Sequence, residues 1–289
     1  TIFEEYPTAD IYTLYADYTG AQWARKYKKR IQTTFLQNFY RFIPKKQWLV
    51  PAMPFAIESL NLSNYDCVLS IGSSFAKGVI TRPETKHVSY VFTPTRFLWL
   101  QREVYMGKNW IPAFLPRGKA GAGMTRSVRN DIGIMKWLRK WDSVAAVRPD
   151  EIVTLSQFSQ KNIEAVYKRK SEILYPPFDV SYFRSLMKKD RKPSVTLPSS
   201  YFLFVGRLEP YKRVDLLVET WAKGHKENLV IVGTGTEKKK LINIIKVIKN
   251  ITFITIPLTD AELMYVYKHA RALIMPQAED FGYTALEAL

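Results

Sequence analysis

The chain has 289 residues, 47% of them hydrophobic, which is material for one large or two ordinary domains and excludes a disordered chain. Lys and Arg number 43 against 26 Asp and Glu, a formal charge of +17, so the molecule attracts something anionic: membrane headgroups, nucleic acid or phosphorylated ligands. A single cysteine, Cys67, excludes an internal disulfide and thiolate zinc sites, and the three histidines, His87, His225 and His269, stand too far apart for a local metal motif.

The chain enters a strand-like run at 10–15. Residues 21–50 then hold eight Lys or Arg and no Asp or Glu, interleaved with Trp23, Tyr27, Phe35, Phe39, Tyr40, Phe42 and Trp48. Such a face suits anionic lipid, because the charges attract headgroups while the rings settle at the interface; the same aromatics could instead pack in a core beside solvated lysines. The best strands of the first half are 66–71, 86–92 and 151–155, β-branched and bounded by turn or helix signals. Between the last two lies a segment, 95–141, with Trp99, Trp110, Trp137 and Trp141, whose 118–123 portion reads as a flexible glycine loop. Residues 175–179 read as extended, since proline disfavours α geometry in the residue before it. The polar, proline-punctuated stretch 188–200 reads as a linker and predicts a boundary near 190, dividing the chain into 1–190 and 191–289.

After that stretch strands at 201–205, 229–232, 251–256 and 272–275 alternate with helices at 214–223, 237–247 and 260–270, and a last helix begins near Gly282. This rhythm means βαβ units, a parallel sheet and a doubly wound α/β domain, whose ligands bind at the carboxyl ends of strands. The loop after the first of these strands, from Gly206, brings Arg207, Lys212 and Arg213 to a helix start, a cradle for a diphosphate or else a solvated basic turn. The next loop holds Gly233 and Gly235 without the spacing of a P-loop or dinucleotide fingerprint, and reads as a plain strand-to-helix turn. The loop after the last strand places Glu279 eight residues before Glu287, with Asp280, Phe281, Gly282 and Tyr283 between. Two carboxylates so spaced can each accept bonds from a pair of hydroxyls, and Gly282 lets a phosphate approach backbone N–H groups; Glu287 alone could equally be a surface helix residue. No run of about eighteen predominantly apolar residues suggests a transmembrane helix.

The pairing of Gly-Arg-Leu-x-Pro-Tyr-Lys-Arg at 206–213 with Glu-Asp-Phe-Gly-x4-Glu at 279–287 resembles the retaining glycosyltransferases of family 4. Asp10-Ile-Tyr-Thr-Leu14, Met53-Pro-x-Ala-Ile-Glu-Ser59, Ala76-Lys-Gly-Val-Ile-Thr-Arg-Pro83 and Tyr175-Pro-Pro-Phe-Asp179 resemble its bacterial surface-polysaccharide mannosyltransferases. The resemblance implies a GT-B fold: two Rossmann-like domains facing each other across a cleft, an acceptor-binding one at 1–190 and a nucleotide-sugar-binding one at 191–289. It implies Arg207 and Lys212 on the donor diphosphate, Glu279 beside the donor sugar, Glu287 on the ribose hydroxyls, and Gly206 with the Asp280 to Tyr283 loop lining the donor. The implied enzyme is a hexosyltransferase that needs no cofactor or metal, in keeping with the absence of Asp-x-Asp, and takes a nucleotide sugar, with mannose as the expected unit. Its acceptor is a glycan or lipid-linked saccharide at an anionic membrane surface, the inner face of the plasma membrane; no nucleic acid is expected as partner. The alternative is a non-enzymatic binding protein for anionic glycolipid or nucleic acid, for which interleaved cations and aromatics also serve.

Two departures and two ends matter. Relatives end the strand at 86–92 in His-Thr-Pro, where this chain has Phe92, Thr93 and Pro94; phenylalanine moves no proton, so either that histidine contributes modestly or this copy is impaired or altered in specificity. Relatives often carry Asn where Leu155 stands before Ser156. The family's first strand with its glycine-rich turn is expected before Thr1, and its final strands and crossing helix after Leu289, so both domains are expected to be incomplete and the chain as it stands weakly active or inactive.

Overall fold

The structure, a computed structural model, describes residues 2–44, 46–100 and 133–289; Lys45, Trp110 and the 118–123 loop lie outside them. Two compact units divide at Thr1–Tyr175 and Pro176–Leu289.

The first unit opens with α1 (Ile2–Glu5), a parallel pair β1 (Ile11–Thr13) and β2 (Ile31–Thr33), then α2 (Leu36–Tyr40) and α3 (Met53–Glu58). Its main sheet is parallel throughout, in the order β3 (Cys67–Gly72), β4 (Lys86–Val91), β5 (Glu151–Thr154), β6 (Glu172–Ile173). The first three fall within a residue or so of the expected strands, because β-branched runs bounded by turns leave little choice of register; the two-residue β6 was not expected. Helix α4 (Ile134–Ala145) crosses from β4 to β5 and α5 (Gln157–Tyr167) from β5 to β6. Ser156 caps α5 by accepting the Ser159 N–H at 3.1 Å, while Leu155 is buried.

A buried charge pair holds α4 to the sheet. Lys77, on the turn after β3, donates to Asp142 at 2.6 Å, with both side chains at most 2% exposed. Asp142 also accepts from Thr95 Oγ1, Trp99 Nε1 and Tyr167 O–H, each at 2.8 Å. Four donors thus satisfy one buried carboxylate, which is what makes its burial tolerable. Nearby, Glu58 accepts from Trp141 Nε1 at 2.7 Å and Arg148 at 2.6 Å, and a Cβ at Gly78 would lie 2.5 Å from the Trp141 ring. The stretches 53–59 and 76–83 that carried the resemblance therefore serve the packing of this unit.

In the second unit α6 (Val180–Met187) precedes β7 (Tyr201–Val205), α7 (Val214–Ala222), β8 (Asn228–Val232), α8 (Lys238–Ile245), β9 (Ile251–Ile254), α9 (Asp260–Lys268), β10 (Ala272–Leu273) and α10 (Tyr283–Ala288). The sheet is parallel in the order β10-β7-β8-β9. Phe204, Leu229 and Ile231 pack with Leu217, Trp221 and Leu241 of α7 and α8. Leu203, Val230 and Val232 pack with Leu186, Met264 and Tyr267 of α6 and α9. Covering both faces is what a parallel sheet requires. A capping box of Thr259 and Glu262 starts α9.

The division at 175/176 differs from the boundary expected near 190. Helix α6 belongs to the second unit because Leu186 and Phe183 join its core and Tyr182 O–H donates to Asp260 at 2.6 Å. The 188–200 stretch has the polar composition of a linker, yet Val195 and Leu197 pack on that same core, and Asp190 pairs with Lys268 at 2.6 Å.

Asp142→Ala strands the Lys77 ammonium in the core, and we expect the first unit to lose about 3–5 kcal/mol, read as a lowered denaturant midpoint; a loss under about 1 kcal/mol would contradict this account of the pair.

Candidate functional site

From β7 the chain steps outward through β8 to β9, then returns to the opposite side of β7 as β10. The loops that follow β7 and β10 consequently flank the point where strand order reverses, the place where open α/β sheets bind ligands.

The β7 loop is fastened along the β8 loop. Gly206 N–H donates to Val232 O at 3.0 Å, Leu208 N–H to Thr234 O at 2.9 Å, and Glu237 N–H to Leu208 O at 2.9 Å. A Cβ at Gly233 would stand 1.9 Å from Gly206 O, and one at Gly235 2.5 Å from Leu208 O. Those glycines are there so that two backbones can touch, and the turn reading holds for them with that specific cause. Glu209 adds a side-chain tie, accepting from Thr236 Oγ1 at 2.7 Å. Beyond it, the turn Pro210–Lys212 buries Tyr211. Arg207, exposed, donates to Tyr211 O–H at 2.6 Å. The Arg207 guanidinium lies 5.8 Å and the Lys212 ammonium 5.4 Å from the Tyr211 ring centre, so one buried phenol holds both cations by their affinity for its π face.

From the β10 loop, Glu279 meets them. Lys212 donates to Glu279 Oε1, and Gln277 Nε2 donates to the same oxygen at 2.6 Å. The pair is mostly shielded, with side-chain exposures of 15% for Lys212 and 17% for Glu279, so the contact is a charge-assisted bond in a setting drier than bulk water. Gly282, in the left-handed region at φ 86°, turns the chain into α10, a conformation glycine adopts without strain. Phe281 and Tyr283 pack edge to face with ring centres 5.0 Å apart. Tyr283 O–H donates to Pro177 O at 3.3 Å, so this expected donor residue also braces the 176–179 segment. Asp280 is half-buried beside them.

Glu287 stands apart from this group. It lies on α10, five residues and so about 7–8 Å along the axis beyond Gly282, half-buried, and its Oε2 accepts from Tyr267 O–H at 2.8 Å. Burial pushes its carboxyl above the usual range; the Tyr267 hydrogen bond pulls it down, and the Asp260 charge pushes it up again. Among the described residues no hydrogen bond or ion pair joins Glu287 to Arg207, Lys212 or Glu279. The structure thus holds Arg207 and Lys212 on Tyr211, joins Glu279 to Lys212, and anchors Glu287 separately on Tyr267.

Three site residues escaped the sequence reading: Tyr211, Gln277 and Tyr267. Tyr211 was inside the quoted motif, where an aromatic between two cations invites this placement. Tyr267 was obscured by the regular apolar spacing of α9, which reads as core. Nothing local marks Gln277.

In the first unit, Phe92 is half-buried, its ring 5.5 Å from Tyr90 and its N–H donating to Gly72 O at 3.2 Å. His87 of the same strand does not replace the missing histidine: it is buried, bonded to Ser70 at 2.9 Å, and burial drives its imidazole down to about 4. Among the described residues no three His, Cys, Asp or Glu are grouped to hold a metal ion, and no helix is long and apolar enough to cross a membrane.

Two Rossmann-like α/β units with parallel sheets define the architecture of GT-B glycosyltransferases. Residues 187–289, most of the second unit, match the family model described as "Glycosyl transferases group 1". The chain is 26% identical over 169 residues to the O-antigen biosynthesis glycosyltransferase WclY of Escherichia coli, covering 56% of this chain and 45% of that protein. The chain therefore spans less than half the length of the curated relative it matches. Among solved structures, sucrose-phosphate synthase from Thermosynechococcus elongatus aligns with 90% of this chain and 63% of its own at a TM-score of 0.51 and 14% identity, a likeness of fold.

Proposed function

We propose that this protein is a retaining, metal-independent glycosyltransferase that moves a sugar, mannose in the simplest reading of the sequence resemblance, from a nucleotide sugar to a glycan or lipid-linked saccharide of surface-polysaccharide synthesis. The observation that carries the reading is the Lys212–Glu279 pair, which brings a cation and a carboxylate from the two switch-point loops together beside Arg207. Departure of a nucleoside diphosphate builds negative charge, and fixed cations stabilise it without reorganising. A carboxylate beside them, with Oε2 carrying no hydrogen bond among the described residues, is suited to sugar hydroxyls and repels a bare phosphate chain. In the transfer step the bond from the anomeric carbon to the phosphate oxygen breaks, a bond to the acceptor oxygen forms on the same face, and the acceptor proton passes to the departing phosphate. No nucleophilic side chain is required.

The basic segment of the first unit supports a membrane-surface acceptor. Trp23, Phe35, Phe39, Phe42 and Trp48 are all exposed, Phe42 at 83% and Trp23 at 68%, and Arg25, Lys26, Lys28, Lys29 and Arg41 are exposed among them. Rings left outside the core next to cations fit the headgroup layer of anionic lipid.

In thermal unfolding with UDP, GDP and ADP sugars at about 100 times Kd, we expect one donor class to raise Tm by roughly 5 °C, with Arg207→Ala and Glu287→Ala abolishing most of the shift; no shift with any of them contradicts the donor-site reading. In sedimentation with phosphatidylglycerol-containing vesicles, we expect binding that weakens with salt and falls severalfold in Trp23→Ser/Phe42→Ser; equal binding to neutral phosphatidylcholine vesicles, or an unaffected double variant, contradicts the membrane reading.

A further inference from the structure

We infer that Tyr267 is the positioning residue for Glu287: its phenol on α9 fixes one carboxylate oxygen of α10 so that the other is presented to the hydroxyls of the bound donor. This rests on the donor-site reading above and extends it to a residue of a different helix.

The geometry is specific. Tyr267 O–H donates to Oε2 at 2.8 Å, and Oε1 carries no hydrogen bond among the described residues. The Tyr267 side chain is 9% exposed and packs in the core cluster that includes Met264, Leu203 and Val232, so the phenol oxygen cannot wander. A half-buried carboxylate on α10 would otherwise sample several rotamers, and ordering a glutamate side chain on binding has an entropic cost. Glu279 shows the same arrangement, with Lys212 and Gln277 both on Oε1 and Oε2 unengaged. Each of these two carboxylates is therefore tied by one oxygen, with no hydrogen bond on the other among the described residues.

The groups that bear on the Glu287 charge are Tyr267 and Asp260, both on α9. Burial raises the Glu287 carboxyl, and the phenol hydrogen bond counteracts that rise. Removing the phenol leaves burial and Asp260 unopposed, so the carboxyl rises further and ionises only at higher pH. Hydroxyl donors bind the ionised form, so donor affinity climbs with pH through this group, and the climb moves to higher pH in the variant.

The test is calorimetric titration of the full chain with UDP, GDP and ADP between pH 5 and 8.5, for wild type, Tyr267→Phe, Glu287→Gln and the double variant. Tyr267→Phe keeps the buried ring, and its unliganded Tm is recorded alongside. We expect Tyr267→Phe to weaken binding about 3–10-fold at pH 7 and to move the acid limb to higher pH. In the Glu287→Gln background, which lacks that limb, the same substitution should change affinity less than about twofold. An unmoved limb, or an equal loss in both backgrounds, overturns the role of Tyr267. Wild type that binds none of the three nucleotides overturns the donor-site reading itself.

Discussion

One ammonium and one carboxylate, delivered by loops from neighbouring parallel strands, tie the second unit together at its ligand-facing end. Lys212 and Glu279 are far apart in the chain and adjacent in space only because β10 returns to the near side of β7. The pair is mostly withdrawn from water, so neither partner tolerates loss of the other without leaving a poorly solvated charge. In the proposed function an arriving diphosphate would share the ammonium, which has three protons to donate, and would meet a second cation already held on the same phenol. The site is in this sense assembled before any ligand arrives, which is the condition for electrostatic stabilisation without reorganisation.

The support for that pair reaches back through backbone contact. Gly233 and Gly235 admit the β7 loop against the β8 loop, three main-chain hydrogen bonds hold it there, and Glu209 with Thr236 locks the far end. Only then does the chain turn to bury Tyr211 and aim its neighbours outward. The first unit solves a comparable problem differently. Its loops after β3 and β4 are joined to α4 and α5 through a single buried carboxylate, Asp142, with four donors. In both units a polar contact between loops, and not the sheet alone, sets where the functional ends of the strands lie.

Much of this could be read from the residues. The alternation of β-branched runs with ten-residue amphipathic stretches foretold the second sheet to within a residue or two, whereas Arg207, Lys212 and Glu279 were singled out by the motif resemblance, since a basic turn alone could equally have been solvated. What could not be read was contact between distant segments. The compact units divide earlier than the polar stretch suggests, because polar composition describes exposed side chains and is silent about Phe183, Leu186, Val195 and Leu197 packing beneath. The Tyr267 anchor of Glu287 could not be read either, since an eight-residue spacing says nothing about which partner a helix residue meets. Lys77 and Asp142 passed as ordinary residues, although an aspartate on the face of α4 that also carries Leu138, Trp141 and Ala145 is a mark of a buried partner.

The central claim is that Lys212 and Glu279 act as one unit in holding a nucleotide sugar. Calorimetric binding of the donor by wild type, Lys212→Met, Glu279→Gln and the double variant measures their coupling directly. The account predicts that each single substitution weakens binding and that the two losses combine non-additively, with a coupling of about 1 kcal/mol or more. Losses that add to within about 0.3 kcal/mol, or single variants that bind like wild type, would contradict it.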